Sequence, residues 1–202
     1  MNLAVFASGR GSNFEAVYSL IKSGEINANV RCLISNNPNA PALDFAKNNG
    51  IETYIINVKS NAYSEQLLEI LSKHEIQLIV LAGYMKLIPE NVVERFPNKI
   101  INIHPALLPS FGGKGCYGMN LHKKVLKSGV KFTGATVHFV NQNYDEGQII
   151  AQEIVSISPE DSAEDIATKV LKIEHKLLPE VVKQICKNQL YWKNNKPWII
   201  TF

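Results

Sequence analysis

The chain has 202 residues, of which 46% are hydrophobic and 19% are charged, and its formal net charge is +3. This composition is typical of a globular domain and excludes a disordered, collagen-like, coiled-coil or disulfide-scaffold protein. The mild positive charge lacks the basic stripe of nucleic-acid-binding proteins, so we expect no nucleic-acid partner.

Cysteine usage and the start of the chain bear on location. Cys32, Cys116 and Cys186 are scattered without CxxC spacing, as is typical of reduced thiols in a cytoplasmic protein. The first residues lack the basic start of a signal peptide. No stretch reaches the roughly 18 apolar residues that a membrane span needs. We therefore expect a cytoplasmic protein without a membrane partner.

Short apolar runs alternate with amphipathic stretches along the chain. The apolar runs predict strands at Leu3–Ala7, Val30–Ser35, Thr53–Val58, Leu78–Ala82, Ile100–Ile103, Ala135–Val140 and Ile149–Val155. The amphipathic stretches predict helices at Asn13–Ser23, Ala40–Asn49, Ala62–Lys73, Pro89–Arg95, Met119–Lys127 and Ala163–Lys187. Strand and helix in alternation predict an α/β fold with a doubly wound, mainly parallel sheet of about seven strands.

Residues at the element ends support these assignments. Asn13 is predicted to cap the first helix, Gly50 to follow the second, and Ser162 with Asp165 to cap the last one. The tail from Leu190 to Ile200 predicts a small hairpin, which Trp192 and Trp198 are expected to pack on the body.

The loop after the first strand has the composition of a phosphate site. Ser8–Asn13 reads SGRGSN and opens the first helix, where glycines permit a tight turn and free amides attract anions. A dinucleotide fingerprint would need a third glycine where Phe14 stands, and an acid at the end of the second strand, where Ile34–Pro38 has none. The loop therefore favours a single phosphate, with Ser12 and Asn13 as additional donors; a plain tight turn is the alternative.

The fifth predicted strand ends in Asn102-Ile103-His104-Pro105. Alternate residues of a strand share a face, so Asn102 and His104 are expected to project together at the sheet edge where ligands bind. An amide can stabilise an oxyanion while an imidazole moves a proton. The pair therefore predicts a transfer reaction at a carbonyl, with a structural histidine as the alternative.

Asp145 follows the sixth predicted strand and is the candidate to orient His104 and raise its pKa. Among the other histidines, His138 is expected to be packed in its strand, whereas His74 and His122 are expected on solvated helix surfaces. Asp161 and Asp165 are expected to be capping residues. No metal-ligand spacing and no nucleophile elbow is present, so we expect neither a metal nor a covalent intermediate.

Four segments together resemble the phosphoribosylglycinamide formyltransferase family. They are the SGRGSN loop, LAGYM at 81–85, NIHPALLP at 102–109, and VHFV at 137–140 followed by DEG at 145–147. They occur in order over essentially the whole chain. The NIHP-x-LLP string with a later aspartate is specific to folate-dependent formyltransferases and their hydrolase relatives. The SGxGSN start is specific to the glycinamide ribonucleotide branch.

The resemblance implies that the formyl group of 10-formyltetrahydrofolate passes to the amine of 5′-phosphoribosylglycinamide in purine biosynthesis, through a tetrahedral intermediate. His104 is then the general acid, Asn102 the oxyanion donor, and Asp145 the group that tunes His104. The implied fold is one domain over 1–202, with a phosphate-binding half at 1–100 and a catalytic and folate-binding half at 101–202.

The resemblance also implies how both substrates are bound. The residues that hold the acceptor phosphate are Gly11, Ser12 and Asn13, and those that contact the folate are Met85, Lys86, Leu87, Ile88 and Asn102. Glu174 is implied to contact the glycinamide part of the acceptor, although its position alone indicates a helix-surface charge. The implied partners are small molecules only, and the implied assembly is a monomer or homodimer.

Two departures from the family pattern stand out. Ser60, beside Lys59, occupies the position where the family often has an arginine that reaches the folate tail. The stretch Gly112–Gly118 is long and glycine-rich, resembles one bacterial branch, and is expected to act as a lid. Within it, Lys114 is expected to approach a substrate charge.

Three alternatives share part of this pattern. A formyltetrahydrofolate hydrolase would use water instead of the amine and usually carries an extra N-terminal domain. A methionyl-tRNA formyltransferase usually carries an added RNA-binding domain. A non-catalytic nucleotide-binding module would keep the Ser8–Asn13 loop but would have no use for Asn102, His104 and Asp145 together.

Overall fold

The computed structural model of the chain describes residues 1–199. Seven strands form one mainly parallel sheet in the order β3-β2-β1-β4-β5-β6-β7, and a separate two-stranded sheet follows, as the sequence predicted. The chain divides into two compact units, Met1–Asn102 and the part that begins at Ile103.

The first unit consists of parallel strands alternating with helices. Its strands are β1 Asn2–Phe6, β2 Asn29–Ser35, β3 Glu52–Ile55, β4 Leu78–Leu81 and the start of β5 Ile100–His104. Its helices are α1 Ser12–Lys22, α2 Pro41–Asn48, α3 Tyr63–Lys73 and α4 Glu90–Arg95. All four residues of β4 are buried, which suits a central strand that is covered on both faces.

The second unit combines an antiparallel strand pair with two helices and the tail hairpin. Its elements are α5 Gly118–Ser128, β6 Phe132–Phe139, β7 Ile149–Ser156, α6 Ala163–Cys186, β8 Leu190–Lys193 and β9 Lys196–Ile199. The turn between β6 and β7 contains Asp145, and α5 follows the glycine-rich stretch. The second unit therefore contains two of the three predicted catalytic residues, His104 at the end of β5 and Asp145 in the β6–β7 turn.

Most of the predicted helix ends are confirmed, with one exception. Ser162 and Asp165 form a reciprocal capping box at the start of α6, and Gly50 follows α2 in the left-handed conformation, with φ 70°. The N-cap of α1 is Gly11, with φ 79°, and not Asn13 as predicted. The left-handed turn at Gly11 starts the helix two residues earlier, so Asn13 lies inside the first turn.

The strand bounds differ from the prediction at β3 and β6. β3 ends at Ile55 because the side chain of Asn57 accepts the Lys59 backbone N–H and begins a turn. β6 begins at Phe132, three residues before the predicted start at Ala135. Gly134 lies within this strand, and a Cβ at this position would lie 2.0 Å from the Glu153 carbonyl oxygen. The pairing of β6 with β7 therefore requires glycine here, although the same glycine interrupts the apolar pattern that predicts the strand.

The tail forms the predicted hairpin, with β8 paired antiparallel to β9. Trp192 stacks on Phe139 of β6, with 5.8 Å between the ring centroids, and is 43% exposed. Trp198 is 50% exposed, so the packing role expected for both tryptophans is only partly met. Ile200, the last residue of the predicted hairpin, lies outside the described residues.

Candidate active site

His104 is the last residue of β5 and is only 3% exposed. Its Nε2 lies 2.9 Å from the carbonyl oxygen of Phe111. Because a carbonyl only accepts hydrogen bonds, Nε2 is the donor and carries a hydrogen. The other nitrogen, Nδ1, faces Asp145, with 3.5 Å between Nδ1 and Oδ1. The imidazole is therefore held between two acceptors.

Asp145 lies in the β6–β7 turn with a positive φ of 58° and is largely buried. Its Oδ2 accepts the backbone N–H of Gly113 at 2.9 Å. Its Oδ1 also faces Nε2 of His138 at 3.8 Å. The carboxylate thus lies between two imidazoles and favours the charged form of either one.

Burial lowers the pKa of His104 below its ordinary value, because an imidazolium is poorly solvated inside the protein. The Asp145 carboxylate, and then the Phe111 carbonyl, act in the opposite direction because each stabilises the imidazolium. Burial is the largest of the three influences. The charged form of His104 is therefore a stronger acid than that of an exposed histidine, and Asp145 limits how far its pKa falls.

Among the other predicted histidine positions, the packed position of His138 is confirmed, whereas the solvated positions expected for His74 and His122 are wrong. His138 is packed in β6 as expected, and its Nδ1 donates to the Phe139 carbonyl at 2.7 Å. His122 is 6% exposed and His74 is 7% exposed, so neither lies on a solvated surface. His122 shares the inner face of α5 with Leu121 and Val125, whereas His74 is bonded through Nε2 to the Tyr54 hydroxyl at 2.9 Å.

Asn102 lies two residues before His104 on β5 and pairs in register with Leu81 on β4. Alternate strand residues share a face, so its amide projects on the same side as the His104 imidazole. Asn102 is partly exposed, whereas His104 is buried. The end of β5 therefore carries an amide side chain on the same face as the imidazole.

A pocket of about 490 Å³ opens beside Asp145. Its lining combines the loop after β5 with the β6–β7 turn and consists of Leu108, Pro109, Gly112, Gly113, Tyr144, Asp145, Glu146, Gly147 and Ile149. The lining is mostly apolar, with the buried carboxylate among its few charged groups. Such a pocket suits a small organic ligand.

The predicted phosphate loop lies in the first unit, between β1 and α1. Its conformation requires glycine at position 11 for two reasons. Gly11 has a left-handed φ, and a Cβ at this position would lie 2.7 Å from the Ala42 Cβ. Ser12 begins α1 and is partly exposed, so its backbone amide is at the helix N-terminus. Asn13 is 7% exposed and forms part of the same turn.

Ser8 connects this loop to its neighbours in the first unit. Its hydroxyl donates to Asn36 Oδ1 at 2.6 Å and accepts the Met85 backbone N–H at 2.9 Å. Its backbone N–H donates to the Gly83 carbonyl at 3.1 Å. Ser8 and Asn36 were not among the predicted site residues, because their contacts come from separate strand ends.

The segment after Gly83 exposes two apolar side chains. Met85 is 44% exposed and Leu87 is 41% exposed, Lys86 is also exposed, and Ile88 is buried at 4%. Ser60, the position of the family arginine, lies in the turn before α3, where its hydroxyl accepts the Ala62 N–H. An apolar surface with a fixed backbone is therefore available along Met85–Ile88.

Glu174 lies on α6 and is only 7% exposed. Its position alone indicated a helix-surface charge, and that interpretation is wrong. The side chain belongs to the buried face of α6, which also carries Val170, Leu177 and Leu178. A carboxylate among these residues is unusual for a purely structural helix face.

Backbone groups are the part of the site that sequence analysis missed. The Phe111 carbonyl and the Gly113 N–H bond the side chains of His104 and Asp145, and residue type does not reveal such groups. Among the described residues, no group of three or more metal-ligating side chains was found. No helix within 1–199 combines the length and apolar character of a membrane span.

The fold and the site define an α/β protein with a buried histidine–aspartate pair and an amide donor at a strand end. This arrangement suits proton transfer during group transfer to a bound ligand. The chain belongs to the formyl transferase family, which it matches over residues 1–182.

Relatives and solved structures agree with this assignment. The chloroplastic phosphoribosylglycinamide formyltransferase of Arabidopsis thaliana is 42% identical over 198 residues, which cover 96% of this chain and 68% of the plant protein. The phosphoribosylglycinamide formyltransferase of Bacillus subtilis (strain 168) is 40% identical over 186 residues, which cover 90% and 93% of the two chains. The crystal structure of glycinamide ribonucleotide transformylase 1 from Symbiobacterium toebii superposes with a TM-score of 0.91 at 33% identity, covering 100% and 94%.

Proposed function

We propose that this chain transfers the formyl group of 10-formyltetrahydrofolate to the amine of 5′-phosphoribosylglycinamide and so contributes to purine biosynthesis. The observation that most directly supports this proposal is the contact of His104 with Asp145, because His104 ends the strand that also contains Asn102. The relatives that share this fold are formyltransferases by name, which supports the same reaction class here.

The proposed chemistry is a direct transfer without a covalent enzyme intermediate. The amine nitrogen forms a bond to the formyl carbon and loses one proton. The bond from this carbon to the folate nitrogen breaks, and that nitrogen gains one proton. Asn102 donates to the carbonyl oxygen as negative charge develops there, and His104 supplies and recovers the proton while Asp145 stabilises its charged form.

The acceptor contacts follow from charge and position. Gly11, Ser12 and Asn13 lie at the N-terminus of α1, and the N-terminus of a helix attracts phosphate. Glu174 would contact the glycinamide part, whose amine a carboxylate attracts. Lys114, exposed in the glycine-rich stretch, would approach a substrate charge; an unchanged KM for both substrates in Lys114→Ala would contradict this role.

The folate contacts follow from the exposed apolar segment. The side chains of Met85 and Leu87 are open to a flat ring system, and Lys86 adds a charge that suits the carboxylates of a folate tail. Ile88 supports the segment from the core, and Asn102 would contact the formyl end. These residues fit a folate co-substrate, which supplies the formyl group when it is bound, and the proposed reaction uses no metal.

The remaining proposals concern the chain as a whole. We propose one formyltransferase domain over 1–202, with a phosphate-binding half at 1–100 and a catalytic and folate-binding half at 101–202. We also propose a cytoplasmic monomer or homodimer with small-molecule partners only. Sedimentation of the purified protein would determine the assembly.

The decisive experiment follows the absorbance of 10-formyltetrahydrofolate with and without 5′-phosphoribosylglycinamide. We expect turnover only when the ribonucleotide is present, and none above background for His104→Ala under either condition. Turnover without the ribonucleotide would identify a hydrolase instead. Ribonucleotide binding without any turnover would identify a binding module, and both outcomes would contradict the proposal.

A further inference from the structure

The short backbone segment Phe111–Gly113 contacts both members of the histidine–aspartate pair. The Phe111 carbonyl accepts from His104 Nε2 at 2.9 Å, and the Gly113 N–H donates to Asp145 Oδ2 at 2.9 Å. We call this segment the bridging segment. One residue, Gly112, separates its two contacts, so a displacement of this segment disturbs both.

The bridging segment is anchored on its N-terminal side by Thr136 and Gln152. The Thr136 hydroxyl donates to the Ala106 carbonyl at 2.7 Å and accepts the Leu108 N–H at 3.1 Å. The Gln152 amide donates to the Leu108 carbonyl at 2.9 Å and to the Thr136 hydroxyl at 3.0 Å. The chain between His104 and Phe111 is therefore fixed to β6 and β7.

The Phe111 side chain anchors the same segment from the other side. It packs against the buried cluster of Ala106, Leu121 and Val125. Its backbone has a φ of 58°, which a bulky residue adopts only when its surroundings stabilise it. The packing of the ring and this backbone conformation together aim the carbonyl oxygen at His104.

The two contacts of the His104 ring are not equivalent. The distance from Nε2 to the Phe111 carbonyl oxygen is 2.9 Å, which is an ordinary hydrogen-bond length. The distance from Nδ1 to the Asp145 carboxylate is 3.5 Å, which is 0.6 Å longer. Neither a carbonyl nor a carboxylate can donate, so losing the Nε2 hydrogen would leave two acceptors only 2.9 Å apart, whereas losing the Nδ1 hydrogen leaves two acceptors at the longer distance of 3.5 Å. The Nδ1 hydrogen is held less tightly and faces Asp145, a residue that lines the pocket.

We propose that the Phe111 carbonyl is a positioning group that retains the Nε2 hydrogen of His104, so that the proton given up in transfer is the one on Nδ1. The assignment of the transferred proton to Nδ1 rests on the proposed function, whereas the position of the hydrogen on Nε2 in the neutral ring does not. In the transfer, the Nδ1–H bond breaks, its proton forms a bond to the leaving folate nitrogen, and Nδ1 later takes up the proton that the amine loses.

The direct test is nitrogen NMR of the free protein with labelled histidine, with His104→Gln used to assign the signal. At a pH where His104 is neutral, we expect its Nε2 to be protonated and its Nδ1 to be bare. A neutral His104 with the hydrogen on Nδ1 would overturn the proposal. This measurement needs no substrate, so it is independent of whether formyl transfer occurs.

A variant at Gly112 tests the bridging segment itself. The φ of Gly112 is not in the left-handed region, so only space opposes a side chain there. A Cβ would lie 2.7 Å from Leu108 Cδ2 and 3.2 Å from Asp145 Cβ. We therefore expect Gly112→Val to displace the segment, and Gly112→Ala to have a smaller effect because the end of the Leu108 side chain can move.

For Gly112→Val we expect a mixture of the two tautomers and a kcat about tenfold lower. The fall of kcat at high pH should move to lower pH, because the variant loses one of the two groups that stabilise the imidazolium. The charged and titratable groups that face His104 are Asp145 from the β6–β7 turn, His138 from β6 and His122 from α5, and all three remain in the variant.

The matched control is Leu126→Ala, which changes a 39% exposed side chain of α5, outside the bridging segment and the Gly112–Gly118 stretch. It should keep the wild-type tautomer, kcat and pH profile. A folded Gly112→Val protein with the wild-type tautomer and pH profile would overturn the proposal. A wild-type protein that holds the Nε2 hydrogen but transfers no formyl group would overturn the proposed function while supporting the positioning by Phe111.

Discussion

At the scale of single residues, the site consists of a side chain that titrates and several groups that fix it. His104 is buried at the end of β5 between the Asp145 carboxylate and the Phe111 carbonyl. Neither acceptor makes the ring reactive by itself. Together they offset part of the cost of burying an imidazolium, and burial still leaves the pKa of His104 lowered, so the charged form releases its proton readily.

Replacing Asn102 by alanine removes the proposed donor to the developing oxyanion. We expect kcat to fall on the order of 10²–10³, with little change in either KM, because the interaction strengthens only in the transition state. Steady-state kinetics with both substrates measures this. Asn102→Asp provides a matched comparison of similar size without the donor, and a near-normal kcat in either variant would remove Asn102 from the mechanism.

Replacing Asp145 by asparagine should shift the pH profile. The carboxylate raises the pKa of His104 against the effect of burial, so its removal lowers that pKa further. The proton-donating form is then lost at lower pH, and the fall of kcat at high pH should move downward. A kcat–pH profile identical to that of the wild type would contradict the tuning role of Asp145.

Residue type and position alone predicted the identities of the candidate side chains but not their surroundings. Asn102, His104 and Asp145 stand at strand ends, where the pattern of apolar runs already indicates a ligand edge. His122 and Glu174 were misassigned to surfaces, because a pattern within one helix does not show which neighbour covers it. The Phe111 carbonyl and Gly113 N–H have no side-chain identity, so no sequence pattern could have indicated them.

At the scale of elements, the start of α1 shows how one residue type determines the conformation of a turn. Gly11 is the N-cap of this helix, has a left-handed φ, and packs directly against Ala42 of α2. Both features exclude a side chain. The sequence predicted the loop and its proposed ligand, but it placed the cap at Asn13, since asparagine is a common N-cap and a left-handed glycine is visible only in the backbone.

Gly11→Ala should therefore destabilise the protein by about 1–3 kcal/mol and weaken binding of 5′-phosphoribosylglycinamide. Its Cβ would lie 2.7 Å from that of Ala42. Urea unfolding and calorimetric titration measure the two effects. Gly9→Ala is the matched stability control, because its Cβ would have no atom within 4 Å; equal stabilities of the two variants would contradict the argument.

The sheet shows which element bounds the sequence could predict. β4 was predicted to within one residue, because its unbroken apolar run is bounded by polar residues on one side and Gly83 on the other. β6 was predicted too short, because Gly134 interrupts the apolar pattern although the ladder to β7 continues through it. A glycine that the neighbouring backbone requires is indistinguishable, in a single sequence, from one that ends a strand.

At the scale of the whole molecule, four buried histidines share one electrostatic property. Burial is the largest influence on each of them and lowers the pKa of His74, His104, His122 and His138. Near pH 6 the unfolded chain therefore binds more protons than the folded one. By linkage, the free energy of unfolding rises with pH in this range and falls on acidification.

We expect the urea midpoint to decrease as pH falls from about 7.5 to about 5, beginning near the ordinary histidine pKa of about 6.5. The contribution of these four histidines to the free energy of unfolding is present above that pKa and is lost as the pH falls through their lowered pKa values in the folded protein. Unfolding curves at constant ionic strength measure the trend, and His74→Gln should make it less steep. A midpoint independent of pH over this range would contradict the explanation.

The turn that holds Asp145 also constrains how the protein can vary. At Gly147 the φ is one that any residue adopts, yet a Cβ would lie 1.7 Å from the Phe139 carbonyl oxygen. A side chain there would have to open the β6–β7 turn and would carry Asp145 away from His104. In a library that samples all amino acids at this position, selection for growth without purines should return glycine alone, because the backbone of the turn itself leaves no space for a side chain.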